Sequence, residues 1–152
     1  MSQFRRRLLA FGFQQHQLEL KPTAGYTAYL ELLNQTDLIL DTFPRTGGTT
    51  TADALWMGVS VITLAGKRYV ERISMSKLKS LQLDELICEN EQAYINTAVT
   101  LAKDDARRAE ISAGLRERMR RSELMDGPGL ALALEKAYDY FIGQVVSLRH
   151  DL

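Results

Sequence analysis

Two short apolar runs, at residues 37–40 and 59–64, constrain the fold of this chain more than any other feature. Continuous apolar runs of this length are typical of strands that are buried on both faces, as in a parallel sheet. A turn-rich segment, 41–48, and a helical pattern, about 50–57, join the two runs. Strand, helix and strand in this order predict a parallel βαβ unit, because parallel neighbours need a crossover connection.

The same alternation of short strands and helices continues on both sides of this unit. Apolar residues at helical spacing predict further helices at 2–15, 25–34, 69–81, 94–103, 105–121 and 130–148. Short apolar segments predict further strands at 18–20 and 85–88. We therefore predict an α/β fold with a Rossmann-like parallel sheet, as one domain at 1–152 with a helical C-terminal segment at about 91–150. Such a domain normally opens with a strand, so a chain that opens with a helix is expected to be truncated at its N-terminus.

Composition excludes several classes of protein. Lys and Arg together number 19, as do Asp and Glu, so no net charge favours nucleic acid or an anionic membrane surface. The single cysteine, Cys88, excludes an internal disulfide, and its apolar neighbours predict a buried thiol. No apolar stretch approaches the roughly 20 residues that span a bilayer. We expect a cytoplasmic protein without nucleic-acid or membrane partners, with the arginine-rich stretches 5–7 and 116–121 on solvated helix faces.

The segment that carries chemistry is 40–53, LDTFPRTGGTTTAD. It lies where a strand ends and a helix begins, which is the edge at which open α/β sheets bind ligands. Gly47 and Gly48 would allow the backbone to approach a ligand closely. The segment lacks the GxxxxGK[ST] pattern, which excludes a P-loop ATPase as far as motifs can.

The residues that follow the two glycines suit a phosphorylated ligand. Thr49, Thr50 and Thr51 place hydroxyls and first-turn amides at a helix N-terminus, whose partial positive charge favours a diphosphate. Asp53, about one turn further along, could accept hydrogen bonds from two ribose hydroxyls. A plain helix cap, with an acidic residue that complements the helix dipole, is equally consistent with these residues alone.

The longer run at 40–66, LDTFPRTGGTTTADALWMGVSVITLAG, resembles the protein O-GlcNAc transferase family. This family includes the SPINDLY-type enzymes and many bacterial relatives that carry tetratricopeptide repeats. Arg72-Ile73-Ser74 with Ser76, the run at 84–87 and Tyr138 in the terminal helix extend the resemblance over essentially the whole chain. It implies the C-terminal half of a two-domain GT-B fold, the half that holds most of the donor nucleotide.

The resemblance also implies roles for individual residues. Thr49 and Thr50 would contact the diphosphate, and Asp53 would contact the ribose. The positions that flank the uracil and the ribose match Ala24, Tyr26 and Tyr29. Tyr29 and Gly48 stand where other members carry His, and Thr46 stands where Asn is frequent. Because of these differences, the donor could be UDP-GlcNAc, UDP-glucose or GDP-fucose. Of the three we expect UDP-GlcNAc.

The reaction that the family carries out transfers a sugar from a nucleoside diphosphate to Ser or Thr hydroxyls of a protein, without a metal ion or other cofactor. Protein donors must then stabilise the charge on the leaving diphosphate. The family also uses an upstream lysine, an N-terminal domain and repeats, all of which we expect to be missing here. We expect these 152 residues to bind nucleotide weakly or not at all and not to catalyse transfer, with an exposed face that would allow homo-oligomers.

Two alternatives remain open from the sequence. The first is a non-catalytic, truncated paralogue that acts as a protein-interaction module and exposes apolar surface. The second is a phosphate-sensing signalling domain built on Asp41, although its acidic partner and facing lysine are not found. Elsewhere, Lys67 and Arg68 are expected as solvated loop charges, and Leu55 and Trp56 as core residues.

Overall fold

The computed structural model describes residues 3–22 and 25–150, and describes side chains as far as residue 143. The chain falls into two compact units, Met1–Glu31 and Leu32–Leu152, where the sequence predicts one domain. No helix in the described part of the chain is both long enough and apolar enough to cross a membrane.

The first unit contains helix α1, Gln3–Ala10, a 3-10 turn, Gln15–Gln17, and the beginning of helix α2, Tyr26–Leu33. The helix predicted at 2–15 ends early because Gly12 takes a φ of +96°, which an α-helix does not allow. The strand predicted at 18–20 is wrong, since these residues have no regular structure. Alternating apolar residues make a strand only where another strand pairs with them, and the strands that the structure describes pair with one another.

The second unit is built on a three-stranded parallel sheet in the order β1-β2-β3. The strands are β1, Leu38–Leu40, β2, Ser60–Leu64, and β3, Ile87–Cys88. Leu40 is in register with Ile62, and Leu64 with Cys88, so the carboxyl ends of all three strands meet at one edge. This confirms the predicted α/β fold with a Rossmann-like parallel sheet.

Five helices complete the second unit: α3, Thr49–Trp56; α4, Ile73–Ser80; α5, Glu91–Lys103; α6, Asp105–Arg121; and α7, Gly127–His150. The helix predicted at 69–81 begins instead as a 3-10 turn, Tyr69–Glu71, which leaves Val70 39% exposed. The break predicted at 126–129 lies at the start of α7, where the Asp126 carboxylate accepts the Gly129 N–H at 2.9 Å. Pro128 suits this position because amides in the first turn of a helix have no acceptor within the helix.

The core lies between β2 and the helices that cover it. Its completely buried apolar side chains come from β2, α3, α4, α6 and the segment before β3: Ala54, Leu55, Val61, Ile62, Leu78, Leu81, Leu83, Leu86, Ile111 and Leu115. Each such Leu or Ile contributes about 2 kcal/mol by leaving water. Cys88 is buried as predicted. Trp56, predicted as a core residue, is only half-buried, and the guanidinium groups of Arg116 and Arg120 lie over its ring at 5.2 and 5.9 Å from its centre. These two arginines are therefore not simply solvated.

Candidate functional site

Asp41 anchors the loop that joins β1 to α3. Its backbone N–H donates to the carbonyl oxygen of Ile62 at 3.0 Å, which continues the strand pairing by one residue. Its side chain is 7% exposed and accepts two hydrogen bonds. The Gly47 N–H donates to Oδ1 at 2.9 Å, and the Thr63 hydroxyl donates to Oδ2 at 2.8 Å. A buried carboxylate must be satisfied in this way, so the loop is drawn back to the strand end from which it started.

Two groups near Asp41 have shifted pKa values. Burial, with smaller contributions from Asp41 and Cys88, raises the pKa of Tyr94 to about 12. Burial also lowers the pKa of Lys77, while the Asp41 carboxylate opposes this effect. The phenol of Tyr94 therefore stays a neutral donor over the whole ordinary pH range, and it donates to the carbonyl oxygen of Asp41 at 2.8 Å.

Ser74, near the start of α4, holds the same loop from its other side. The side chain is completely buried, and its hydroxyl donates to the carbonyl oxygen of Gly47 at 3.0 Å. The Ser74 N–H donates to the hydroxyl of Thr46 at 3.3 Å, and Thr46 in turn donates to the carbonyl oxygen of Val70. A hydroxyl has one proton to give, so in the 2.9 Å contact between Ser74 and Thr51 the donor is Thr51.

Gly47 and Gly48 differ in the space around them. A Cβ atom at Gly47 would lie 2.3 Å from Oγ1 of Thr51 and 3.0 Å from Oγ1 of Thr50, whereas a Cβ atom at Gly48 would meet nothing within 4 Å. Gly47 is therefore required because its backbone lies close to the hydroxyls of Thr50 and Thr51, not because it must approach a ligand. Gly48 faces open space.

Helix α3 begins without a capping side chain. Gly48 occupies the cap position and makes no side-chain hydrogen bond there. The first-turn amides, at Thr49, Thr50 and Thr51, have no intrahelical acceptor by the geometry of a helix start. Thr49 and Thr50 are exposed, whereas Thr51 is buried and its hydroxyl is directed to Ser74. The corner therefore presents amides, two hydroxyls and the positive end of a helix dipole, which together can hold an anion.

The described contacts do not assign a role to the other residues predicted for the site. Asp53 is half-buried in α3, and its role towards a ribose stays a prediction. Ala24 lies outside the described residues. Tyr26 and Tyr29 belong to the first unit, where their ring centres are 6.1 Å apart and Tyr26 is 65% exposed. Their role beside a base also stays a prediction.

A cleft of 410 Å³ opens at the carboxyl ends of β2 and β3. Its lining residues are Phe43, Pro44, Leu64, Ala65, Gly66, Glu71, Glu89, Asn90 and Glu91. The carboxylate of Glu71 accepts the N–H groups of Arg68 and Lys67 at 3.0 and 2.8 Å, and it also pairs with the Arg68 guanidinium. These contacts lower the pKa of Glu71, and the hydrogen bonds from Arg68 have the largest effect. Arg68 is thus committed to Glu71, while Lys67 is exposed, as the sequence predicts for a loop charge.

Sequence reasoning missed most of the residues that hold the corner. Thr63 and Tyr94 lie in ordinary strand and helix patterns, which give no sign that they reach Asp41. Ser74 belongs to the Arg72-Ile73-Ser74 run, and its position in that run was the only signal available. The sequence suggests a role for Asp41 only in a phosphate-sensing domain, and the structure shows instead that its carboxylate binds the loop itself.

The family model described as "Glycosyl transferase family 41" matches residues 3–131. The chain belongs to this family. It is 33% identical, over 144 residues and 91% of its length, to the probable UDP-N-acetylglucosamine–peptide N-acetylglucosaminyltransferase SPINDLY of Arabidopsis thaliana. It is 36% identical to the corresponding protein of Petunia hybrida, over 88% of its length. The chain spans 16% of the length of each of these two relatives.

A solved structure supports the same assignment. A mutant O-GlcNAc transferase from Thermobaculum terrenum superposes on the glycosyltransferase family 41 chain with a TM-score of 0.83 at 35% sequence identity. The match covers 89% of this chain and 26% of that protein. The family that the run at 40–66 resembles is therefore shown by sequence and by fold together.

Proposed function

We propose that this chain forms the donor site of a cytoplasmic glycosyltransferase that moves a sugar from a uridine diphosphate carrier to Ser or Thr hydroxyls of a protein. The observation that carries the proposal is the exposed, uncapped start of α3 at Gly48–Thr50, at the carboxyl edge of a parallel sheet. The relatives described above, whose names specify UDP-N-acetylglucosamine as donor and a peptide as acceptor, support N-acetylglucosamine as the sugar.

In this proposal the first turn of α3 stabilises the leaving diphosphate. Transfer moves the electron pair of the bond between the sugar and the diphosphate onto the diphosphate oxygen, while the acceptor hydroxyl oxygen bonds to the sugar carbon and its proton passes, directly or through water, to the leaving diphosphate. The amides and hydroxyls of Thr49 and Thr50 then face the oxygen that gains charge. The proposal needs no metal ion or other cofactor for this step.

The neighbouring residues have supporting roles in the proposal. Gly48 lets the backbone lie close to the diphosphate, whereas Gly47 lets it lie close to Thr50 and Thr51. Thr51 contributes its amide while its hydroxyl supports the corner from inside. Asp53 accepts the ribose hydroxyls.

A titration followed by amide chemical shifts tests the donor site. We expect uridine diphosphate to shift the amides of Gly48, Thr49, Thr50 and Thr51, with a dissociation constant of about 1 mM. Replacing both exposed threonines, Thr49→Val with Thr50→Val, should weaken binding by more than about tenfold, because two hydrogen bonds to a charged group are lost. Thr100→Val is the matched control, since Thr100 is an exposed threonine on α5. No localised shifts with nucleotide at about 10 mM would overturn the proposal.

A protein-interaction module without catalysis is the second candidate, and one observation favours it. Helix α7 exposes large apolar side chains along its length: Leu130, Leu132, Leu134, Tyr138, Tyr140, Phe141 and Ile142. Exposed apolar surface of this extent marks contact with another protein surface. The same titration separates the candidates, because a module of this kind would show no shifts at the start of α3.

A further inference from the structure

We propose that Asp41 and Ser74 are positioning residues that aim the first-turn amides of α3, Asp41 by holding the N–H of Gly47 and Ser74 by holding its carbonyl oxygen. The inference rests on the proposed function, because it concerns the site at which the diphosphate would bind. Neither residue touches the ligand in this proposal. Both act through the backbone that leads into the helix.

These two hydrogen bonds hold both peptide groups that flank Gly47. The N–H of Gly47 donates to Oδ1 of Asp41 at 2.9 Å, and its carbonyl oxygen accepts from Oγ of Ser74 at 3.0 Å. The peptide planes before and after Gly47 are therefore each fixed by one hydrogen bond. Because Thr49 begins the helix only two residues later, fixing these planes fixes the direction in which the amides of α3 point.

The side chains of Asp41 and Ser74 are themselves held. Asp41 is 7% exposed and Ser74 is completely buried, so neither can exchange its protein partner for water without unfolding around it. The hydroxyl of Thr63 donates to the second oxygen of Asp41 at 2.8 Å, and the hydroxyl of Thr51 contacts Ser74 at 2.9 Å. Strand β2 thus supports Asp41, and α3 itself supports Ser74.

Because α3 has no side-chain cap, the hydrogen bonds from Asp41 and Ser74 to Gly47 are needed to order its first turn. A capping side chain would order the helix start but would also occupy the amides that a ligand needs. Gly48 makes no cap hydrogen bond, and the order is provided from behind by Asp41 and Ser74. The donors are fixed before any charge arrives, which is the condition for strong electrostatic stabilisation.

The first measurement uses the protein without nucleotide. In the wild-type chain the Gly47 amide should exchange slowly with solvent deuterium. We expect Asp41→Ala and Ser74→Ala to speed this exchange about tenfold, since each removes one hydrogen bond of the local structure. The amides of Val61 and Ile62 should stay protected, which shows that the variants are folded. Fast exchange of the Gly47 amide in the wild-type chain would overturn the proposal that Asp41 and Ser74 hold Gly47, regardless of the result of nucleotide binding.

The second measurement adds uridine diphosphate. Ser74→Ala and Asp41→Ala should each weaken its binding about fivefold, whereas Ser76→Ala, an exposed serine on the same helix, should leave it unchanged. Asp41→Asn should restore most of the affinity, because an amide oxygen can accept the Gly47 N–H and the amide nitrogen can donate to Thr63. A merely structural role would not be rescued at the binding step in this way.

The outcomes separate the two proposals. If the Gly47 amide exchanges faster in the variants but their affinity for uridine diphosphate is unchanged, the positioning role is overturned and the donor-site proposal is not affected. A wild-type chain with a protected Gly47 amide that gives no nucleotide shifts would overturn the donor site, and the positioning role with it.

Discussion

Tyr94, on α5, donates a hydrogen bond of 2.8 Å to the backbone carbonyl oxygen of Asp41, a residue 53 positions earlier in the chain. The ring of Phe43 meets the Tyr94 ring edge-on, with 5.6 Å between the ring centres. One aromatic side chain thus contacts both the first and the third residue of the loop that leads to α3. The helix after β3 is thereby tied to the carboxyl end of β1, and the candidate site begins a few residues beyond these contacts, at the end of the same loop.

Removal of the Tyr94 hydroxyl should lower stability without unfolding the protein. Tyr94→Phe keeps the ring against Phe43 but leaves the Asp41 carbonyl without this donor, so we expect the free energy of unfolding to fall by about 1 kcal/mol. Urea denaturation followed by circular dichroism measures the change. Tyr138→Phe, at an exposed position on α7, is the matched control and should have almost no effect. Equal losses from the two substitutions would contradict the assignment.

The same tyrosine should make stability depend on alkaline pH. Its pKa is about 12 in the folded protein against an ordinary value of 10, so the unfolded chain loses this proton first. The stabilising contribution is therefore complete below pH 10 and is lost as the pH rises to about 12. We expect wild type to lose more stability than Tyr94→Phe over this interval. Parallel curves for the two proteins would show that Tyr94 titrates normally.

The two adjacent glycines should respond differently to a methyl group. Gly47→Ala places a Cβ atom 2.3 Å from Oγ1 of Thr51, which forces the helix start to move and should cost about 1–3 kcal/mol of stability. Gly48→Ala meets nothing within 4 Å and should cost only the roughly 0.5 kcal/mol by which alanine is a poorer helix cap than glycine. Thermal unfolding of the pair measures the difference. A larger loss at Gly48 would show that the corner is packed in another way.

The arginines over Trp56 should stabilise the junction of α3 and α6. Arg116 lies 5.2 Å from the centre of the Trp56 ring and donates to its backbone carbonyl oxygen at 3.1 Å, so Arg116→Ala should cost about 1 kcal/mol. Arg121→Ala removes only the exposed pair with Glu117 and should cost less than about 0.5 kcal/mol. Because the chain has one tryptophan, its fluorescence should change in the first variant and not in the second.

Much of the fold could be predicted because it depends on local patterns. The apolar runs at 37–40 and 59–64 became β1 and β2. Only β2, the central strand of the described sheet, is buried as the pattern predicts, whereas β1 lies at the edge and leaves Leu40 55% exposed. The start of α3 at Thr49 was predicted within one residue, from the Gly-Gly-Thr transition. The strand predicted at 18–20 failed for a physical reason. Alternation shows that a segment can be a strand, but only a partner makes it one.

The sequence by itself determined the family, the parallel sheet and the position of a glycine and threonine corner at a strand end, because these features are written in neighbouring residues. Only the tertiary structure decided which of the three threonines face solvent and which side chains hold Gly47. Thr51 turns inward to Ser74, 23 residues away, and Asp41 meets Thr63, 22 residues away. Such pairs form because the sheet brings distant backbone together and burial then makes every polar group find a partner. No local pattern records which partner that will be.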